Sequence, residues 1–325
     1  MPTPPLPSYE ELPVVPGAPK GSSWGLWGRE DRLGCLNLLT PERAVAGAAC
    51  VLYGVVFSLN LELELPAPTL FRREPLEHVV KSLGTIGHDD LLKNMNTQSS
   101  SQWDGFRHMR HPVVGYYNGI ADEEHGVHFW ARRGLAGRAV LADVERWRAS
   151  VGRPIRQGEA DVITLDDLQS TLDAQGIRVE AGDVLLLRTG WLSWYRSLDE
   201  EGRAGVAEGR FRAPGLQRGR AAAAALWNLH IAAIAADNPA VEGGPPPGPY
   251  DPETAAGWTD ADEAAEAMLH FSLLGLLGIP IGEMFDLDAL AAHCAADGRY
   301  SALFTSAPLN LQNGVASPPN ALAIK

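Results

Sequence analysis

Three short apolar runs constrain the fold of this chain more than any other feature: Gly137-Arg-Ala-Val-Leu-Ala-Asp143, Gly182-Asp-Val-Leu-Leu-Leu-Arg188 and His230-Ile-Ala-Ala-Ile-Ala-Ala-Asp237. Each reads as a buried strand, and the last delivers a carboxylate at its end. Val55 to Leu65 alternates apolar and polar residues in its second half, the period of a half-buried strand, and Pro66 ends it. Helical stretches lie between the strands. Thr164 caps one over Thr164-Leu-Asp-Asp-Leu-Gln-Ser-Thr-Leu, Ala221–Asn228 forms another, and a third runs from Asp260 to Leu277, carries His270 late and stops at Gly278 and Pro280. Residues 67–96 read as a long loop with short elements, and Gly243-Gly-Pro-Pro-Pro-Gly-Pro as a loop. Strands and helices alternate without the regular spacing of a doubly wound sheet, and neither an internal repeat nor a G-x-G-x-x-G fingerprint is present. The residues therefore give mixed α and β and argue against a nucleotide-cofactor fold.

Composition narrows the partners. The formal net charge is −13 with Lys and Arg scattered, which argues against a surface that tracks nucleic-acid phosphates. Cys35, Cys50 and Cys294 are odd in number and lack C-x-x-C spacing, so neither a disulfide scaffold nor a cysteine metal site is indicated. No apolar run approaches the ~20 residues of a membrane span, and the N-terminus lacks a basic region followed by an apolar core. Cytoplasmic residence, with no membrane or nucleic-acid partner, is the expectation. Residues 1–23, dense in Pro and Gly, read as an extended N-terminal arm suited to lie on a neighbouring subunit, ahead of a single domain over 24–325.

The chemistry concentrates in one run, Gln98-Ser-Ser-Ser-Gln102-Trp103-Asp104-Gly-Phe-Arg-His108. It resembles the signature His-x-Gly-Thr-His-x-Asp-x-x-x-His of the cyclase family of metal-dependent hydrolases, which includes bacterial kynurenine formamidase and isatin hydrolase. Counting back from His108, the signature's Asp falls on Asp104, its leading His on Gln102 and Gln98, and its Gly-Thr on Ser100-Ser101. Further stretches resemble the same family in the same order: Trp27 to Glu42, Leu187-Arg188-Thr189-Gly190-Trp191, Leu269-His270 through Ile281-Gly282-Glu283, and Ala307-Pro308-Leu309-Asn310 through Ser317-Pro318.

The resemblance implies a swivelling β/β/α fold, one α/β domain, and a homo-oligomer, dimer or tetramer, with the Trp24–Trp27 segment near a subunit boundary. It implies that Asp104, His108, His270 and Glu283 ligate metal, while a first ion site has lost its private ligands to Gln98 and Gln102. Two imidazoles and two carboxylates suit a single Zn, Mn or Fe ion, with Zn or Mn favoured. The implied activity is hydrolysis of a carbon–nitrogen bond in a small amide, formamide or cyclic amide by metal-activated water, with His108 or Glu283 carrying the proton. Gln98, Gln102, Ser101, Trp103, Trp27 and Arg188 are the candidate contacts to a small-molecule substrate.

Each residue also has an ordinary structural reading. His270 among apolar neighbours reads equally as a core histidine, Glu283 as a helix cap, Asp104 as a turn residue, and the tryptophans as core or interface packing. His111, His125 and His128, and the run His88-Asp89-Asp90, are weak candidates for a second metal cluster. The serine run lacks G-x-S-x-G, against a serine hydrolase. Two alternatives stand beside the metal hydrolase: a metal-independent acid–base cyclase or dehydratase using Asp104, His108 and Glu283, and a catalytically silent binding protein that retains the pocket.

Overall fold

The three apolar runs lie side by side in the middle of one sheet. A computed structural model describes residues 6–208, 212–244 and 258–325. Leu135–Asp143, Val184–Arg188 and Ala233–Ala236 are parallel neighbours, and Ile281–Glu283 continues the parallel set. Almost every residue in them is buried, as expected of strands covered on both faces. Antiparallel strands complete a nine-stranded sheet in the order Val56–Ser58, Ala321–Ile324, Ser301–Ser306, the four parallel strands, Gln102–Asp104 and Ala316–Ser317. This is the mixed α/β architecture that the sequence resemblance implied.

Helices Pro41–Ala48, Val144–Ser150, Leu165–Ala174, Arg220–Asn228 and Asp288–Asp297 accompany the sheet. Thr164 caps its helix as expected, its hydroxyl accepting from Asp167 N at 3.0 Å while the Asp167 carboxylate accepts from Thr164 N. The helix Pro41–Ala48 comes so close to the sheet that a Cβ on Gly47 would stand 2.4 Å from the carbonyl oxygen of Gly137, so neither position has room for a side chain at this crossing. No helix among the described residues is long and apolar enough to cross a membrane.

Three expectations need correction. The strand drawn from Val55 to Leu65 is confined to Val56–Ser58; Leu59 and Leu61 are buried beyond it, ahead of a turn at Leu63 and Glu64, with Leu59 N still donating to Ala321 O at 3.0 Å. The stretch 67–96 contains a β-hairpin, Glu77–Ser82 with His88–Lys93, closed by Leu83 N donating to Gly87 O at 2.9 Å. Its residues are nearly all exposed, so no buried face imposes the period-two pattern by which a strand is recognised. The helix expected from Asp260 to Leu277 breaks: Ala261–Ala267 is α-helical, Met268 is extended, and Phe271–Leu277 is a π-helical segment ended by Gly278 in the left-handed region. The break sets His270 at the head of the π segment, an irregularity often associated with functional sites.

The N-terminal segment lies along its own chain. Tyr9 N donates to Asn228 Oδ1 at 2.8 Å, Trp227 Nε1 donates to Pro7 O at 2.8 Å, and Leu12 is buried. Trp27 packs edge-on against Trp227, ring centres 6.3 Å apart, and Trp24 Nε1 donates to Gly275 O at 2.8 Å. The proline-rich run lies outside the described residues from position 245 on.

Candidate active site

The site forms where Ile281–Glu283 meets Gln102–Asp104. These strands are antiparallel, with Glu283 opposite Gln102 and Ile281 opposite Asp104. Side chains alternate along a strand, so Gln102 and Asp104 share one face and Trp103 takes the other. The amide of Gln102 donates to Glu283 Oε2 at 2.8 Å and lies 3.4 Å from both Asp104 oxygens. Trp103 is fully buried against Phe285 and Phe304, its Nε1 donating to Ser306 Oγ at 2.9 Å. The expected substrate contact through Trp103 is thereby replaced by a core role. Trp27 is likewise engaged at Trp227.

His108 and His270 complete the group. Asp104, His108 and His270 each offer one ligand atom, all within 4.8 Å of one another. Asp104 Oδ2 lies 3.7 Å from His270 Nε2 and 3.9 Å from His108 Nε2, and Glu283 Oε1 lies 3.2 Å from His270 Nε2. The structure thus brings together the four residues nominated as ligands, although two come from near residue 100 and two from near residue 280.

Sequence reasoning missed Glu242. It is buried, and both its oxygens lie 2.9 Å from His270 Nδ1, while His270 N donates to Oε1 at 3.3 Å. This double grip fixes the ring with Nδ1 protonated and Nε2 turned toward Asp104 and Glu283, the arrangement by which a second carboxylate orients a metal-binding imidazole. The only available signal was an acidic residue shortly beyond the strand end at Asp237.

Gln98 grips the other imidazole. Its Nε2 donates to Asp104 Oδ1 at 2.7 Å and lies 2.9 Å from His108 Nδ1. With the amide donating to Nδ1, the neutral ring carries its proton on Nε2; His108 offers Nε2 to an ion only once Gln98 turns away and the proton sits on Nδ1. Ser101 faces the backbone, its hydroxyl donating to Met284 O and accepting from Leu61 N. The expected substrate role of Ser101 therefore gives way to bracing the chain beside Glu283.

Arg188 is also committed elsewhere. Its guanidinium reaches Asp143 and Glu145 at 2.8 Å and Asp288 at 2.9 Å, tying the ends of two parallel strands to a helix. Burial works against its charge, but Asp143, Asp237 and Asp288 outweigh it and push its pKa up, so it is a structural cation in place of the expected substrate contact. Among the other histidines, His111 Nε2 lies 3.3 Å from Ala261 O, His125 Nε2 lies 3.1 Å from Tyr117 O, and His128 Nδ1 accepts from Asn313 N at 3.0 Å. Each is occupied by backbone.

Charge in the site is one-sided. Asp104, Glu242 and Glu283 are all buried. Burial opposes ionisation of Asp104, but the charges of His108 and His270 and the Gln98 hydrogen bond win and hold its pKa down. Glu283 is pushed up to about 7 by burial and by the neighbouring Asp104. Burial works against a charged His270, yet Glu242, Asp104 and Glu283 together raise its pKa well above the usual value. Three carboxylates that hold an imidazole as a cation would also attract a divalent ion to its Nε2. The nitrogen and oxygen donors of Asp104, His108 and His270, with Glu283 beside them, fit one such ion.

The fold and the sequence have known counterparts. The sequence profile of the Cyclase family matches residues 57–243. The crystal structure of a novel cyclase superposes with a TM-score of 0.78 at 30% identity, covering 94% of this chain and 99% of that one. Isatin hydrolase A from Ralstonia solanacearum gives a TM-score of 0.57 at 18% identity, covering 88% and 98%. Isatin hydrolase A from Labrenzia aggregata, bound to benzyl benzoate, gives 0.58 at 16%, covering 87% and 97%. No curated relative matches the chain by sequence. With the profile spanning more than half of the chain and a 30% identical cyclase matching nearly all of it, this protein belongs to the cyclase family.

Proposed function

We propose that the protein is a metal-dependent hydrolase that cleaves the carbon–nitrogen bond of a small amide, formamide or cyclic amide with a single divalent ion, Zn or Mn. The observation that carries this reading is the convergence of Asp104, His108 and His270 within 4.8 Å, with His270 Nε2 aimed inward by Glu242. When bound, the ion supplies a Lewis acid that polarises a carbonyl and lowers the pKa of water toward neutrality. Asp104, His108 and His270 would hold it. Glu283 lies close enough to the group to move a proton toward the leaving nitrogen, its other oxygen steadied by Gln102.

One further detail supports an amide substrate. Gln102 Oε1 is buried and accepts no hydrogen bond among the described residues. A substrate N–H would satisfy it, whereas an ester offers no donor, and a site built to meet an N–H rejects an analogue that lacks it.

Hydrolysis of a panel of formamides, lactams and lactones tests the reading. Turnover of members bearing an N–H is expected, abolished by a chelator and restored by Zn or Mn. Turnover unaffected by the chelator would point instead to the metal-independent acid–base enzyme, and none on any member to a silent binding protein.

A further inference from the structure

Arg73 lies near the site and takes no part in the reading above. Its guanidinium donates to the backbone carbonyl of Gln98, whose side chain bridges Asp104 and His108. It is half-buried and lies over the ring of Phe71, 5.0 Å from its centre. The inner residues Asp104, Gln102, His270 and Glu283 are buried, whereas Gln98, His108 and Arg73 keep partial exposure and mark the side from which the group is reached. A substrate approaching Asp104 from that side meets Arg73.

The backbone that delivers Arg73 works against its own preferences. Phe71 and Arg72 have φ of 57° and 56°, two successive non-glycine residues in the left-handed region, which costs about 1–3 kcal/mol each. Two anchors hold the strap. Leu70 is buried in a cluster with Leu61, Trp191 and Met284, the residue after Glu283, and Thr69 Oγ1 donates to Arg73 O. Strain retained beside a reactive site calls for a functional explanation.

An arginine serving only as a counter-ion would pair as Arg188 does. Arg73 feels the charges of Asp104 and Glu283, yet its one hydrogen bond among the described residues goes to a carbonyl, and its remaining N–H groups are not sealed in the interior. Burial holds its pKa below the usual arginine value, so it is a partly dehydrated cation with donors to spare. A planar fork of that kind matches a carboxylate.

We infer that Arg73 selects the substrate: its guanidinium receives a carboxylate carried by the molecule whose reactive carbonyl lies at Asp104 and His270. The inference rests on the hydrolase reading for the position of that carbonyl, but its test needs no turnover. Phe71, 45% exposed beside the guanidinium, lies where the apolar part of such a molecule would pass.

Calorimetric titration of the full chain with benzoate and with benzamide separates the two ideas. Wild type is expected to bind benzoate on the order of tenfold more tightly than benzamide. Arg73→Met should erase that preference by weakening benzoate alone, and Arg73→Lys, which keeps the charge without the fork, should retain part of it. Equal binding of the two probes by wild type, a benzoate preference surviving in Arg73→Met, or equal weakening of both would overturn the assignment. If Arg73→Met does not fold, Arg73→Gln carries the same expectation. Loss of discrimination in an otherwise inactive protein would uphold Arg73 while removing the hydrolase reading.

Discussion

Replacing His270 with alanine removes bound metal and hydrolytic activity together and lowers stability by about 3–5 kcal/mol, because it strips the partner from a buried charge. His270 stands among three buried acids, 2.9 Å from Glu242, 3.2 Å from Glu283 and 3.7 Å from Asp104. Without it, Glu242 loses the ring and keeps backbone N–H groups, its own and that of residue 270. Denaturant unfolding reads the stability loss. Adding Glu242→Gln to the His270→Ala variant should recover part of it, since the uncompensated charge is then gone, and strict additivity of the two changes would show that the pair is not coupled.

Glu242→Gln alone is expected to leave the fold intact and weaken metal binding by about ten- to a hundredfold, the usual cost of losing a carboxylate behind a metal-binding imidazole. The reason is geometric and electrostatic. A glutamine oxygen can still accept from Nδ1–H, so the ring keeps its direction, but the negative charge that makes Nε2 a stronger donor is lost. Competition against a calibrated chelator measures the change, and wild-type affinity in this variant would show that Glu242 does not tune His270.

The parallel strands were legible because burial on both faces writes itself as an unbroken apolar run: Leu135–Asp143, Val184–Arg188 and Ala233–Ala236 all lie in the runs read first, or one element's end away from them. The hairpin over Glu77–Lys93 left no such trace, since neither face is buried. The break at Met268 was hidden for another reason. Residues on both sides are apolar, and the His270 N–H there goes to Glu242, distant in sequence.

In the site, the resemblance to the cyclase signature is what singled out Asp104, His108, His270 and Glu283, and the fold brings the four together. Trp103 was misassigned because its strand went unrecognised; period two would have turned it away from Asp104 at once. Arg188 was chosen for following a buried strand, which also places it among Asp143, Glu145 and Asp288. Arg73 gave no signal, because a left-handed backbone at Phe71 and Arg72 cannot be read from residues that rarely adopt it.

Everything turns on whether Asp104, His108 and His270, with Glu283 beside them, hold one ion. Metal analysis of the full chain, purified without chelator and titrated with Zn and Mn, should give about one equivalent per chain, lost in His270→Ala. No tightly bound metal would contradict the account at its centre, and two equivalents would show that Gln98 and Gln102 have not closed the second position.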